Sequence, residues 1–355
     1  MGDLSEYRSK RDRARTPEPV PDGELETGED DVFVIQEHHA SSLHWDVRLE
    51  RDGVLVSWAV PKGLPREPDT SRLAVHTEDH PMEYATFEGE IPVGEYGAGR
   101  MTIWDHGRYE TLHWNDHLVE VVFHGERARG RYTFVNSHDD HGNWQVKRVD
   151  PAPKGWAPLP GFVRPMLASD GGLPADDAEW AYEFDWGGQR AIVRAQGGRA
   201  TVYDETGDEL TATYPELRAL GAQLGSTEAL LDGEVVAFDQ GLPSLEALRR
   251  RQAAAPGQVK RLASARPVMY LPYDVLHLDG KSCLHLPYLR RRKLLAGLAL
   301  AGPNWQVPEH YLGDGGAVAA ASRDHGLPGI VAKRAKSKYQ PGRTSPDWIV
   351  VAADA

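Results

Sequence analysis

The chain has 355 residues, room for about two domains, and sets 40 Lys+Arg against 53 Asp+Glu for a formal net charge of −13. Its 40% hydrophobic content excludes wholesale disorder, while no run of about 18 apolar residues marks a membrane helix and the N-terminal stretch lacks a secretory pattern. The one cysteine, Cys283, excludes a disulfide framework and a thiolate zinc cage and fits a reducing cytoplasm; the acidic balance speaks mildly against a nucleic-acid coat but leaves room for a local cationic cleft.

Residues 1–31 are rich in Pro, Arg and acid and read as an extended arm. Short β-branched or aromatic segments follow, predicting strands at Val32 to Gln36, Leu43 to Glu50, Val54 to Val60, Arg72 to Thr77, Gly99 to Asp105, Leu118 to Phe123, Gly130 to Phe134 and Trp144 to Arg148. Many short strands without a convincing helix indicate a β-barrel or sandwich over 32–150. The proline-dense stretch 151–161 reads as a linker. Beyond it the texture is mixed α+β over 162–355. Helices are predicted at Pro215 to Leu224, Ser244 to Ala255, Tyr288 to Leu300 and Gly315 to His325, and strands at Ala191 to Ala195, Ala229 to Phe238, Val268 to Leu276 and Gly329 to Lys333.

Histidine is unevenly spread: 11 of the 15 lie before Asp150. In a strand over Leu43 to Glu50, a period of two puts His44, Asp46 and Arg48 on one face and Trp45, Val47 and Leu49 on the other. His38, His44 and Asp46 then form a three-ligand set with positions open for water or a phosphate oxygen. Taken alone, the run also fits a solvated polar strand face. A second cluster, Arg72 to Tyr84, preceded by Lys62, strengthens the functional reading. Phosphate-ester cleavage needs cations, here Arg48, Lys62 and Arg72, and a proton donor and phosphate hydrogen bond, here His80 and Tyr84.

The motifs Val34 to Glu50, Ser57 to Gly63, Leu73 to Pro81 and Phe87 to Gly99 resemble the 3′-phosphoesterase domain of bacterial DNA ligase D, an enzyme of non-homologous end joining. The resemblance implies a small barrel that binds manganese and trims 3′ ends, removing a terminal ribonucleoside and then the 3′ phosphate. It implies ligation by His38, His44 and Asp46, contacts to phosphate or transition state by Arg48, Lys62, Arg72, His80 and Tyr84, and docking of Arg11, Asp12 and Glu18 onto the active site. Part of the arm is accordingly expected to be ordered.

The second half resembles the adenylation domain of ATP-dependent DNA ligases, through Val163 to Ala168, Leu231 to Val235, Tyr273 to Gly280, Gly329 to Arg334 and Tyr339 to Trp348. That family writes its nucleophile as Lys-x-Asp-Gly, and here the stretch is Asp185-Trp186-Gly187-Gly188. An aspartate cannot form a lysyl phosphoramidate, and its charge repels a triphosphate. Asp204-Glu205, Pro328, Val350 and Ala352 replace further expected contacts, while Arg190, Glu234 and Lys333 remain as vestigial nucleotide-binding positions. The expected fold is thus a mainly β-barrel phosphoesterase followed by an α+β nucleotidyltransferase-type domain that lacks the OB-fold. The expected activity is metal-dependent trimming of DNA 3′ ends in the bacterial cytoplasm at the nucleoid, without use of ATP. Expected partners are DNA ends and end-joining proteins, with no membrane. An active ligase and a non-catalytic end-joining scaffold are the alternatives.

Overall fold

The strands of the first half arise where alternation and tight turns agree. β1 (Val32–His39) and β2 (Leu43–Arg51) pair antiparallel, and β2 reverses into β3 (Val54–Val60) through Asp52 and Gly53. Both turn residues take positive φ, 51° and 81°. That is the requirement of the two-residue turn whose twist suits a hairpin. The computed structural model describes residues 3–23, 27–139, 141 and 143–353. These fall into two compact units, one through Lys154 and one from Gly155.

The first unit continues with β4 (Ser71–Pro81), β5 (Gly89–Ile91), β6 (Gly99–Trp114), β7 (Leu118–His124), β8 (Arg129–Asn136) and β9 (Asn143–Arg148). The order β1-β2-β3-β4-β9-β8-β7-β6 returns to β1 through the β6–β1 pairing, so eight antiparallel strands close a barrel and leave it no open edge. Phe33, Ile35, Val47, Leu49, Trp58, Tyr109, Val121, Phe123, Phe134 and Val146 fill its interior. With a period of two, the intervening residues Val34, Gln36, His38, His44, Asp46 and Arg48 lie on the outer wall. There a smaller apolar cluster of Leu4, Tyr7, Val34, Val54, Leu55, Tyr84, Ile91 and Met101 covers part of the wall.

β4 departs from strict alternation. Ser57 pairs with Thr77 but Leu55 pairs with His80, so β4 carries one extra residue between these pairs. Ala74 belongs to the interior core, and the same parity would turn residues 78 and 80 inward. The bulge instead gives Glu78 and His80 to the outer wall.

All eight expected strands of this half are present. β6 runs nine residues beyond the expected Asp105, to Trp114, and β5 was not anticipated. The extended-arm reading is corrected at its start, where Ser5–Ser9 form the short helix α1. Five residues cannot sustain a helix unaided; burial of Leu4 and Tyr7 in the outer-wall cluster holds it.

The second unit is α+β. One sheet orders Arg199–Tyr203, Gln189–Gln196, Ala229–Asp239 and Val268–Leu278, and another orders Leu167–Asp170, Thr344–Ala352, Gly329–Arg334 and Trp180–Asp185, with short strands at the edges. The helices stand near their expected places. Ser244 accepts from Ala247 N at 3.2 Å and caps Leu245–Gln252, while Tyr288–Gly297 ends three residues short of the expected Leu300. Helix Pro256–Ala265 and the strands Trp180–Asp185, Arg199–Tyr203 and Thr344–Ala352 were not anticipated. Among the described residues, no helix is long and apolar enough to cross a membrane.

Candidate metal centre

Cross-strand register assembles the site. On the outer wall His38 lies opposite His44, Gln36 opposite Asp46, and Asp46 and Arg48 opposite the small residues Ala59 and Ser57, which leave room for them. His38 Nδ1 is 3.5 Å from Asp46 Oδ2, His44 Nε2 is 3.6 Å from Asp46 Oδ1, and the imidazole centroids are 4.7 Å apart. One ligand atom from each of the three residues lies within 4.8 Å of the others, and no other such group occurs among the described residues.

The donor chemistry fits a divalent cation on two observations. His38 Nε2 is buried without a hydrogen-bond partner, which a polar atom in a native interior seldom tolerates. The His44 Nδ1 donates to the Ser42 carbonyl at 2.9 Å, fixing the tautomer that leaves Nε2 with its lone pair toward Asp46. Burial raises the Asp46 pKa, yet the Arg48 guanidinium and the two histidines outweigh it and hold the carboxyl well below the usual range. It is a carboxylate at any working pH.

Arg48 is buried and fully committed: Nε donates to Gln36 Oε1 at 2.7 Å, one terminal nitrogen to Ser57 Oγ at 2.8 Å and the other to Asp46 Oδ2 at 3.1 Å. His80 donates from Nδ1 to the Glu78 carbonyl at 2.8 Å, and its Nε2 accepts from Arg11 at 3.4 Å. Burial first, and the cations Arg48 and Arg11 second, push the His80 pKa well below 6.5, so the ring is neutral. The Tyr84 hydroxyl donates to Glu18 Oε1 at 2.9 Å and stays protonated, because burial raises its pKa.

The arm supplies one side of the cavity. Arg11 donates to Glu18 at 2.8 Å and to Glu78 at 3.0 Å while its guanidinium lies 3.7 Å over the Tyr7 ring. Arg11, Glu18, His38, His44, Asp46, Arg48, Glu78, His80 and Tyr84 thus line one cavity of about 200 Å³. Gln36, Ser57 and Glu78 were missed from sequence. The first two are signalled only by register, and Glu78 only by the bulge.

Three expected residues lie elsewhere. Asp12 is exposed and accepts from Ala14 N at 2.9 Å; it shapes the turn that brings Arg11 back to Glu18 rather than facing the cavity. Arg72 shares the parity of inward-facing Ala74, and its guanidinium bonds the carbonyls of Lys62, Gly63 and Leu64 in the turn after β3. The Lys62 side chain is exposed, and neither Lys62 nor Arg72 lines the cavity.

In the second unit Lys333 is buried, while Arg190 and Glu234 are half-buried and Arg190 lines a cavity with Asp204 and Glu205. Arg190 donates to both oxygens of Asp232, at 2.7 and 2.6 Å. Lys333 donates to Glu183 at 2.6 Å and lies 3.9 Å from the Tyr273 centroid and 4.3 Å from that of Trp348. Glu234 accepts from Gly188 N at 2.9 Å, and burial, with the charge of Asp185, pushes its pKa up to about 7. Asp185 accepts from Gly187 N at 2.9 Å, and Asp204 accepts from the amides of Thr206, Gly207 and Asp208.

Known proteins share both halves. Residues 36–136 match the DNA Ligase D 3′-phosphoesterase domain, and residues 165–351 match the ATP dependent DNA ligase domain. The chain is 45% identical over 354 residues to the multifunctional non-homologous end joining protein LigD of Mycobacterium bovis, an alignment covering 98% of this chain and 44% of that protein. To LigD of Pseudomonas aeruginosa it is 31% identical over 402 residues, covering 98% of this chain and 46% of that protein. It therefore spans less than half the length of these relatives. A solved mycobacterial DNA ligase D complexed with ATP and MES is similar at 38% identity and a TM-score of 0.46, over 54% of this chain and 60% of that one. With both domains matched in the same order, the chain belongs to the DNA ligase D family, as a 3′-phosphoesterase domain followed by an ATP-dependent DNA ligase domain.

Proposed function

We propose that the first unit is a metal-dependent phosphoesterase that trims DNA 3′ ends in double-strand-break repair, removing a terminal ribonucleoside and then the 3′ phosphate to leave a 3′ hydroxyl. The observation that carries this reading is the placing of His38, His44 and Asp46 in one cavity with the cations Arg11 and Arg48 and the neutral His80. His38, His44 and Asp46 would hold a divalent cation, manganese by family resemblance, which supplies Lewis-acid charge to the phosphoryl oxygens and lowers the pKa of a bound water.

The remaining work falls to the chain itself. Arg48, locked by Gln36, Ser57 and Asp46, presents fixed positive charge that needs no reorganisation as charge builds on the phosphoryl group. Arg11, held by Glu18 and Glu78, does the same from the arm. As the phosphorus–oxygen ester bond breaks, the leaving oxygen needs a proton. His80 Nε2, neutral in the resting site, is the nitrogen placed to take up the proton that the attacking water loses and to pass it to that oxygen. Tyr84 keeps Glu18, and through it Arg11, in position. Exposed Lys62 is proposed as a contact to the DNA backbone rather than to the reacting phosphate.

For the second unit we propose the ligase fold without ligation. Asp185 stands at the nucleophile position, where its charge opposes a triphosphate, and Asp204 and Glu205 line a cavity with Arg190. The unit then serves stability, end recognition or docking of end-joining proteins. Incubation of the protein with manganese and a primer-template bearing a 3′ ribonucleotide or 3′ phosphate is expected to yield trimmed 3′-hydroxyl product, abolished by chelation. No trimming would reject the reading. With labelled ATP no covalent AMP adduct is expected, and one adduct would overturn the proposal for the second unit.

A further inference from the structure

Trimming a nucleoside requires a place for its base as well as its phosphate. The groups described so far are ionic or buried, and Tyr84 is only 1% exposed. The loop between β5 and β6, residues 92–98, differs. It leaves the barrel against the metal-ligand strand: Ile91 pairs with Gly99, Met101 pairs with His38, and a Cβ at Gly99 would stand 2.4 Å from the His39 carbonyl oxygen. Bonds from Glu95 N to the Pro92 carbonyl and from Ala98 N to the Glu95 carbonyl stiffen it, and Arg15 of the arm pairs with Glu95 at 2.7 Å.

Tyr96 projects from this loop. It lines the same cavity as His38, His44 and Asp46, yet its side chain is 49% exposed. Lys10 lies 4.5 Å and the Arg11 guanidinium 5.5 Å from its ring centroid, and its hydroxyl accepts from Lys10 at 3.4 Å. The ring is therefore in contact with two cations of the arm and still about half exposed. Such a platform suits a nucleobase, since every base has a π-face and stacks without regard to sequence.

We propose that Tyr96 is a specificity-determining residue that stacks on the base of the 3′-terminal nucleotide and so seats the end against the metal site. The inference rests on the phosphoesterase reading. It makes the preferred substrate a terminus with an intact base, of any sequence, and it disfavours an abasic terminus.

The test compares the full chain with Tyr96→Ala and Tyr96→Phe on primer-templates ending in a 3′ ribonucleotide that is either intact or abasic. Loss of one stacked base raises KM roughly ten-fold. That rise is expected for Tyr96→Ala on the intact end, with kcat little changed, no rise on the abasic end, and near-wild-type behaviour for Tyr96→Phe. A binding readout without metal complements it: 2-aminopurine at the 3′ terminus is expected to be quenched by the wild type and by Tyr96→Phe but not by Tyr96→Ala. If the wild type trims and Tyr96→Ala shows unchanged KM and quenching, or equal losses on both ends, the stacking role is overturned alone. If the wild type trims neither end, the phosphoesterase reading falls and this one with it.

Discussion

His44→Ala is expected to abolish metal-dependent trimming while leaving the barrel folded. The His44 side chain is 22% exposed, against 7% for Asp46, and its ring contributes to neither apolar cluster. Losing it removes one of three ligands and leaves His38 and Asp46 in their hydrogen bonds. Metal assistance lowers the barrier to ester cleavage by several kcal/mol, so its loss costs on the order of 10³-fold in kcat. Calorimetric titration of manganese should show binding by the wild type and none by the variant at the same concentrations. Trimming within ten-fold of wild type would refute the assignment of the metal ligands. Asp46→Ala is a poorer choice, because it strands the buried Arg48 charge and confounds activity with stability.

The largest expected loss of stability lies in the second unit. Arg291 and Asp274 are both fully buried, joined by two bonds of 2.8 and 2.9 Å, and Arg291 also donates to the carbonyls of Leu286 and Ser337. Arg291→Ala leaves the Asp274 carboxylate without its countercharge and the Leu286 carbonyl without the guanidinium donor in the interior, and should cost about 3–5 kcal/mol. Burial already raises the Asp274 pKa and Arg291 opposes that rise, so in the variant the pKa climbs further. The folded state then holds a proton that the unfolded state releases, and the deficit relative to wild type grows as pH rises from the wild type's folded pKa, itself above the usual carboxylate range, toward the higher one of the variant. Urea unfolding at two pH values, followed by hydrogen exchange in the strand Val268–Leu278, checks both magnitude and sign. A variant pairing Arg291→Met with Asp274→Leu should recover much of the loss, since an apolar pair leaves no buried charge.

The barrel was legible because local signals agreed with the global answer. Asp52-Gly53 fixes one turn, and the alternation in β2 separates Trp45, Val47 and Leu49 from His44, Asp46 and Arg48. The clustering of His38, His44 and Asp46 was legible for the same reason. What sequence could not supply was the wall on which the polar face lies, since alternation separates two faces without saying which is interior. Register was equally hidden, and with it the pairing of Arg48 with Gln36 and Ser57. That Arg72 lies outside the cavity could not be read either, because a motif fixes the order of residues but not their phase. The short helix α1 escaped because its local support, the Asp3 carboxylate on Ser5 and the Glu6–Lys10 ion pair, is slight beside its packing on distant Val34, Val54 and Tyr84.

The extra residue in β4 makes that phase a heritable property separate from composition. A lineage that lost Asp79 would restore regular alternation, leaving the histidine opposite Leu55 on the outer wall while turning Glu78 away from Arg11 toward the interior. Spacing within β4 therefore decides whether a carboxylate reaches Arg11 from this strand, independently of which residues the strand contains.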